Sequence, residues 1–262
     1  MYAFDFVKPA TLAEATEALG HDGAQPLSGG QTLLGAMKQR LNAPERLISL
    51  TGIPELRGLC AEDGGLTIGA ATTHAVVARE AAALYPALAD LAGGIGDPAV
   101  RNRGTIGGSL ANNDPAACYP SAVLASGATI VTNTRDIAAD DFFQGMFTTA
   151  LHDGEIITAV KFPIPQKAAY AKFLQPASRF ALTGVFVAKF AGGVRVAVTG
   201  ASESGVFRWV EAEAALSANF SASALERLVV PADGMIADLH GSSAYRAHLV
   251  KVMTGRAVAA AR

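Results

Sequence analysis

The sequence predicts an α+β fold, in which two α/β units are followed by a small antiparallel sheet with helices. Strand and helix patterns alternate through about the first 55 residues. Pro163 and Pro165 then interrupt the chain at the end of a predicted strand, and beyond them two apolar runs flank Gly192-Gly193 as in a hairpin. We therefore divide the chain into a domain over 1–166, with units of about 1–55 and 56–166, and a C-terminal domain over 167–262.

The first unit begins with a strand and a capped helix. Phe4 and Phe6 alternate with polar neighbours, as in a half-buried strand. Thr11 and Glu14 form a capping box for a helix that ends near Gly20. The other predicted elements of this unit are a strand over 25–27, an amphipathic helix over 33–40 and a strand over 47–50.

The later elements are predicted from apolar runs bounded by glycine and proline. The second unit has predicted strands over 65–70, 128–132 and 155–162 and predicted helices over 73–82, 85–93 and 120–126. The C-terminal domain has predicted strands over 181–190 and 194–199 and predicted helices over 210–216 and 243–261. We expect those two helices to cover one face of the C-terminal sheet.

Composition excludes several classes of protein. Half of the residues are apolar, which argues against disorder, and a net charge of −2 without a Lys/Arg cluster argues against a nucleic-acid binder. No apolar run is long enough to span a membrane. Cys60 and Cys118 cannot form a disulfide scaffold, and the N-terminus lacks a signal-peptide pattern, so we expect a cytoplasmic protein. Only 17% of residues are charged, which indicates a large core or a surface covered by another chain.

The first candidate binding segment is the run Ser28-Gly29-Gly30-Gln31-Thr32, between a predicted strand and a predicted helix. Adjacent glycines let the backbone approach a ligand, and the start of a helix favours a phosphate group. The run matches neither the Walker A motif nor the dinucleotide-binding glycine motif. A tight turn without a ligand explains the same two glycines equally well.

The second candidate segment is the loop Thr105-Ile106-Gly107-Gly108-Ser109. Glycine, asparagine and aspartate are dense from Arg101 to Asp114, which suits a ligand rich in hydroxyl and phosphate groups better than it suits a core. Arg101 and Arg103 can neutralise phosphate charge, or they can form salt bridges within the fold or with a partner. The five histidines are scattered, and we expect most of them at the surface or at helix ends.

Longer stretches around both segments carry a family resemblance. They are LSGGQTLLGAMKQRL, IGDPAVRNRGTIGGSLANNDPAACYPSAVLASGATI and KFLQPASRFALTGV. The chain resembles, over nearly its whole length, the FAD-binding medium subunits of the molybdenum hydroxylases, such as carbon monoxide dehydrogenase and xanthine dehydrogenase. The resemblance implies an FAD-binding domain of the PCMH or vanillyl-alcohol-oxidase type over 1–166 and a carbon monoxide dehydrogenase flavoprotein-type domain over 167–262.

The resemblance implies that the two segments hold FAD non-covalently, and that the chain has no catalytic or metal-binding residues of its own. Asp114 matches the aspartate of an Asp-Pro step beside the second segment. In the first segment, the positions that match the pyrophosphate loop are Pro26, Leu27, Ser28, Gly29, Gly30, Gln31, Thr32 and Leu33. In the second segment, the matching positions are Thr105, Ile106, Gly107, Gly108 and Ser109.

The same resemblance implies where the flavin ring lies. Ile95 and Ile157 match apolar residues beside the isoalloxazine ring, and Phe180 matches an aromatic residue over its face. Lys172 matches a lysine near the flavin carbonyls, although an exposed lysine at a strand edge would look the same. Cys118 stands where many members carry an aspartate that contacts the adenosine ribose, so the resemblance leaves that contact open.

The resemblance also implies partner subunits. Electrons from a molybdopterin centre in a large subunit would pass through two [2Fe–2S] clusters in a small iron–sulfur subunit to this FAD, in a dimer of heterotrimers. The alternatives are a stand-alone FAD oxidase with its own substrate pocket and a nucleotide-binding scaffold subunit without flavin.

Overall fold

Parallel pairing of three short strands builds the N-terminal unit. In the computed structural model, which describes residues 1–62 and 64–262, this sheet has the order β1-β3-β2. The Thr11 side chain accepts a hydrogen bond from the N–H of Glu14, so the predicted helix cap is confirmed. The elements are β1 (Asp5–Val7), α1 (Leu12–Leu19), β2 (Ala24–Leu27), α2 (Leu33–Lys38) and β3 (Arg46–Ser49).

The middle unit is an antiparallel sheet of five strands in the order β4-β5-β10-β6-β7, and a two-stranded sheet, β8-β9, lies beside it. Its strands are β4 (Leu59–Glu62), β5 (Gly65–Gly69), β6 (Thr129–Thr132), β7 (Asp136–Ala138), β8 (Phe143–Gly145), β9 (Thr148–Thr149) and β10 (Ile157–Pro163). Its helices are α3 (His74–Glu80), α4 (Pro86–Gly93), α5 (Pro98–Arg101), α6 (Ile106–Asn112), α7 (Tyr119–Ser126) and α8 (Ala139–Phe142).

The C-terminal sheet is antiparallel and has the order β11-β12-β13-β14. Its elements are β11 (Lys167–Leu174), β12 (Ala181–Phe190), β13 (Gly193–Thr199), β14 (Phe207–Arg208), α9 (Val210–Ala218) and α10 (Ser243–Ala260). Within the described ranges, no helix combines the length and the apolar character needed to cross a membrane.

Strand β12 joins two hydrophobic cores because its successive side chains point to opposite faces of the sheet. Val185 and Val187 belong to a core shared with α9 and α10. Phe186 and Ala188 belong to a core shared with α4 and α7 of the middle unit. The expected coverage by α9 and α10 is therefore confirmed on one face, and the middle unit buries the other. This shared core fixes β11 and the segment after it relative to the middle unit.

Two of the segments that differ from the sequence predictions carry candidate site residues. The predicted loop over 105–109 is instead the start of α6, where the Thr105 hydroxyl accepts a hydrogen bond from the N–H of Gly108. Two glycines disfavour a helix, but the threonine cap and the burial of Ile106 and Leu110 in the core outweigh them. Strand β11 is absent from the prediction because its sequence, rich in alanine and lysine, has weak strand propensity, and pairing with β12 determines its structure.

A buried carboxylate fixes the turn that precedes β10. Glu155 is buried and accepts hydrogen bonds from the side chains of Thr132, Thr134 and Arg135 and from the N–H of His152. These donors, above all the Arg135 guanidinium, hold the pKa of Glu155 well below its ordinary value. The network places Ile156 and Ile157, which follow directly, at the wall of the cavity described below.

We expect Glu155→Gln to lower the free energy of unfolding by about 1.5–3 kcal/mol at neutral pH, because the buried carboxylate that accepts from Thr132, Thr134 and Arg135 is replaced by a neutral amide. Asp136→Asn is the matched control, since the Asp136–Lys161 pair is half exposed and contributes about 0.5 kcal/mol. Urea unfolding measures both values. A carboxylate with a lowered pKa stabilises the fold above its unfolded pKa, so the difference between wild type and Glu155→Gln should shrink as pH falls below about 4. Equal effects of the two substitutions would contradict this role.

Candidate functional site

One cavity of about 650 Å³ lies where the three units meet. It takes its walls from the N-terminal unit, the middle unit and the segment between β11 and β12. The sequence-predicted site residues that line it are Pro26, Leu27, Ser28, Gly29, Gly30, Gln31, Thr32, Leu33, Ile95, Thr105, Gly107, Gly108, Ser109, Asp114, Cys118, Ile157, Lys172 and Phe180. The Ile106 side chain is fully buried in the core of the middle unit, so it does not line the cavity.

One end of the cavity is a cradle of backbone amides. In the described part of the chain, the N–H groups of Gly29, Gly30, Gln31, Thr32 and Leu33 donate to no protein acceptor. These consecutive donors lie in the turn from β2 into α2, where unpaired amides and the helix dipole together favour an anion. The cradle therefore suits a phosphate or pyrophosphate group.

Gly29 is required for a reason that the sequence did not reveal. A β-carbon at this position would collide with the carbonyl oxygen of Arg103 and lie 2.6 Å from the Cα atom of Gly104. The first segment thus packs directly on the residues that precede the second. The Ser28 and Thr105 hydroxyls, hydrogen-bonded at 2.8 Å, continue this contact. Gly29 allows the two segments to meet, whereas the sequence had indicated an approach to a ligand.

The second segment contributes shape and hydroxyl groups more than free amides. The N–H groups of Ile106 and Gly107 donate to the carbonyls of Thr72 and Ala70, at 3.2 and 2.9 Å. Those of Gly108 and Ser109 donate to Thr105, as expected at the start of a helix. The free amides therefore belong mainly to the first segment, while the second closes the cavity wall.

The other end of the cavity is apolar. Ile95 follows α4, Ile157 begins β10 and Phe180 precedes β12, so three separate elements supply its surface. Phe180 is 52% exposed and is free to stack on a planar ligand. This end suits an aromatic ring system.

A lysine and a thiol lie beside the apolar end. The Lys172 ammonium donates to the carbonyl of Gly94 at 2.7 Å and to that of Arg179 at 3.1 Å. It lies 3.7 Å from the sulfur of Cys118, which is a buried free thiol. Because Gly94 precedes Ile95 and Arg179 precedes Phe180, the ammonium bridges two walls of this end. Lys172 lies on the edge strand β11, as in the alternative of a lysine at a strand edge, but it is half-buried and its ammonium is hydrogen-bonded.

The side chains of the two arginines beside the second segment are not placed to bind a phosphate group in the cavity. Arg101 donates to the carbonyls of Ile95 and Gly96, at 3.0 and 2.9 Å, and so braces the apolar end. Neither Arg101 nor Arg103 contributes a side chain to the cavity wall. Of the two alternatives, Arg101 thus fits a role within the fold.

His74 is a cavity residue that the sequence reasoning missed. It is 5% exposed at the start of α3, its Nδ1 has no hydrogen-bond partner, and its ring lies 5.3 Å from that of Tyr119. Burial, with a smaller effect from the Arg101 charge, lowers the pKa of His74 to about 4. A β-carbon on Gly104 would lie 2.5 Å from its Nε2, so the ring supports the turn before the second segment. His74 lies at a helix end, as expected of most of the histidines, but it is buried and not at the surface.

Comparisons with known proteins agree with this geometry. A family model described as "FAD binding domain in molybdopterin dehydrogenase" matches residues 2–165. The carbon monoxide dehydrogenase medium chain of Afipia carboxidovorans is 32% identical, over 99% of this chain and 97% of that one. The nicotine 6-hydroxylase medium subunit of Paenarthrobacter nicotinovorans is 33% identical, over 98% of this chain and 96% of that one. The structure "Reconstituted CO dehydrogenase from Oligotropha carboxidovorans" superposes with a TM-score of 0.90 at 31% identity, over 98% of this chain and 97% of that one.

The chain belongs to the family of FAD-binding medium subunits of molybdenum hydroxylases. It is thus an oxidoreductase subunit, and it carries an FAD-binding domain. The cavity fits this cofactor, because the free amides of the cradle suit its pyrophosphate and the apolar end suits its ring.

We expect Gly29→Ala to abolish FAD retention, because the added methyl group separates the first segment from Arg103 and Gly104. Gly35→Ala is the matched control, since a β-carbon there meets no atom within 4 Å. Replacing this glycine within α2 should raise the free energy of unfolding by about 0.5–1 kcal/mol. Flavin content after gel filtration and urea unfolding of both variants test this. Normal flavin content in Gly29→Ala would show that the contact between the segments is dispensable.

We expect the fold to lose stability as the pH falls from 7 to 5, because the unfolded chain binds a proton at residue 74 that the folded chain excludes. With a folded pKa of about 4 and an unfolded pKa of about 6.5, His74 accounts for about 2 kcal/mol of this loss. Urea unfolding at both pH values should show a smaller pH dependence in His74→Gln, whereas substitution of the exposed His21 should leave it unchanged. An unchanged slope in His74→Gln would contradict the assignment.

Proposed function

We propose that this chain binds FAD non-covalently and passes electrons from the [2Fe–2S] clusters of a partner subunit to an external acceptor. The observation that carries the proposal is a single cavity with free backbone amides at one end and an apolar, lysine-flanked surface at the other. In this arrangement the chain binds and orients the cofactor, and bound FAD supplies the redox chemistry.

The residues that would hold FAD divide between the two ends of the cavity. The amides of Gly29 to Leu33 would bind the pyrophosphate, and the hydroxyls of Thr105 and Ser109 would line the adjoining wall. Ile95 and Ile157 would contact the ring from the middle unit. Neutral amides hold the pyrophosphate without a salt bridge, so the site stays selective by shape.

The comparisons support a relay role rather than direct substrate oxidation. Medium subunits of enzymes named for carbon monoxide and for nicotine are about equally similar to this chain, at 32% and 33% identity. Substrates as different as carbon monoxide and nicotine would be oxidised in another subunit, which we propose is a large molybdopterin subunit. The complex would also contain a small iron–sulfur subunit, as a dimer of heterotrimers in the cytoplasm. The domain division at about residue 166 remains our assignment.

We expect the purified chain to take up one equivalent of FAD, to show the absorption bands of oxidised flavin and to release all of it on acid precipitation. The holo chain alone should not oxidise organic substrates, and its flavin should be reduced by the reduced iron–sulfur subunit in rapid mixing. A chain that is colourless once unbound FAD has been removed would overturn the proposal in favour of a scaffold role. Substrate turnover by the isolated holo chain would favour a stand-alone oxidase. Native mass spectrometry of the complex checks the stoichiometry.

A further inference from the structure

The charge of Lys172 stands out among the polar groups of the cavity. Its ammonium has two backbone carbonyls and the Cys118 thiol as partners, and among the described residues no carboxylate lies within ion-pairing distance of it. The two carboxylates that line the cavity are engaged elsewhere. Glu155 is paired with Arg135, and Asp114 accepts from the N–H of Ala116 at 2.8 Å. A full positive charge is thus held in place without a counter-charge.

This charge lies at the ring end of the cavity. The two carbonyls that hold it belong to the residues before Ile95 and Phe180, which line the apolar surface. Cys118 lies at the same place, since its sulfur is 3.7 Å from the ammonium. Its position therefore argues for a role beside the ring, in contrast to the ribose contact that the family resemblance left open.

We propose that Lys172 and Cys118 together set a raised reduction potential for the flavin, because Cys118 leaves the lysine charge uncompensated beside the ring. This inference rests on the proposed function. Reduction adds electrons to the ring system, and a fixed cation nearby stabilises the added negative charge. A carboxylate at position 118 would place an opposite charge beside the ammonium and cancel much of this effect, whereas the cysteine at this position supplies no carboxylate.

The geometry also explains why the charge can act at a fixed distance. The ammonium has three N–H donors, and it has three acceptors within reach: the carbonyl oxygens of Gly94 and Arg179 and the sulfur of Cys118. Lys172 lies on β11, whose partner β12 is buried on both faces. The lysine is therefore held by its own strand and by two other chain segments, and its position does not depend on a flexible side chain alone.

The test is the midpoint potential of the FAD-loaded full-length chain, measured by equilibration with reference dyes. We expect Cys118→Asp to lower the reduction equilibrium constant at least tenfold, which for a two-electron couple is about 30 mV. Cys118→Asn is the matched control, because it has the size of aspartate without the charge, and it should stay near the wild-type potential. Lys172→Met should shift the potential in the same direction as Cys118→Asp, and Lys172→Arg should largely restore it.

The outcomes separate this inference from the proposed function. If wild type, Cys118→Asp and Lys172→Met all bind FAD with the same midpoint potential, the pair does not tune the flavin, although the FAD site stands. An equal shift in Cys118→Asn and Cys118→Asp would also overturn the inference, since charge would then not be the cause. If the wild-type chain takes up no FAD, the proposed function fails and this inference fails with it. If Cys118→Asp is the one variant that loses FAD, the midpoint potential of Lys172→Met is the deciding measurement. A potential below that of the wild type supports the inference, and an unchanged potential overturns it.

Discussion

The structure depends on the direct contact between two backbone segments that come from different units. Gly29 packs on Arg103 and Gly104, and the adjoining Ser28 and Thr105 hydroxyls are hydrogen-bonded at 2.8 Å. The contact joins the parallel sheet of the N-terminal unit to the middle unit at the point where β2 ends. It orients the free amides of the first segment into the cavity. A hydrophobic core that combines Ile48 of the N-terminal unit with Ala71 and Ile156 of the middle unit acts with this contact, and together they fix the distance between the cradle and the apolar end.

The third wall is fixed by a different interaction. Strand β12 contributes Val185 to the core of the C-terminal domain and Phe186 to the core of the middle unit, so the C-terminal sheet cannot shift against the middle unit without loss of the packing around Phe186. This packing holds β11 beside α4, where Lys172 reaches the carbonyl of Gly94. A single ligand can therefore touch all three units. A bound cofactor would stabilise their arrangement, because it binds the folded chain and not the unfolded one.

The sequence predicted the parts of the molecule that depend on local signals. The Thr11 cap, the helices around α4 and α10 and the hairpin at Gly193 follow from capping, apolar periodicity and turn residues. Strand β11 and the start of α6 did not follow, because pairing and burial decide them against weak or contrary propensity. Nearly all of the predicted site residues meet in one cavity, but their placement came from the family resemblance. His74 escaped prediction because only the tertiary structure shows that Gly104 leaves room for its ring.

The low proportion of charged residues now has a physical interpretation. Buried or partly buried charges serve the fold: Arg135 binds Glu155, and Arg246, which is 4% exposed, binds Asp238 and two carbonyls. The anion-binding end of the cavity uses amides in place of arginine or lysine, so it adds no net charge. At the apolar end, Lys172 is accompanied by Arg101, which donates to the carbonyls of Ile95 and Gly96, and by Arg179, which lines the cavity, so positive charge gathers at this end. In the proposal made above, the residue at position 118 decides how much of this positive charge would act on the ring, while the rest of the wall would hold the cofactor in place.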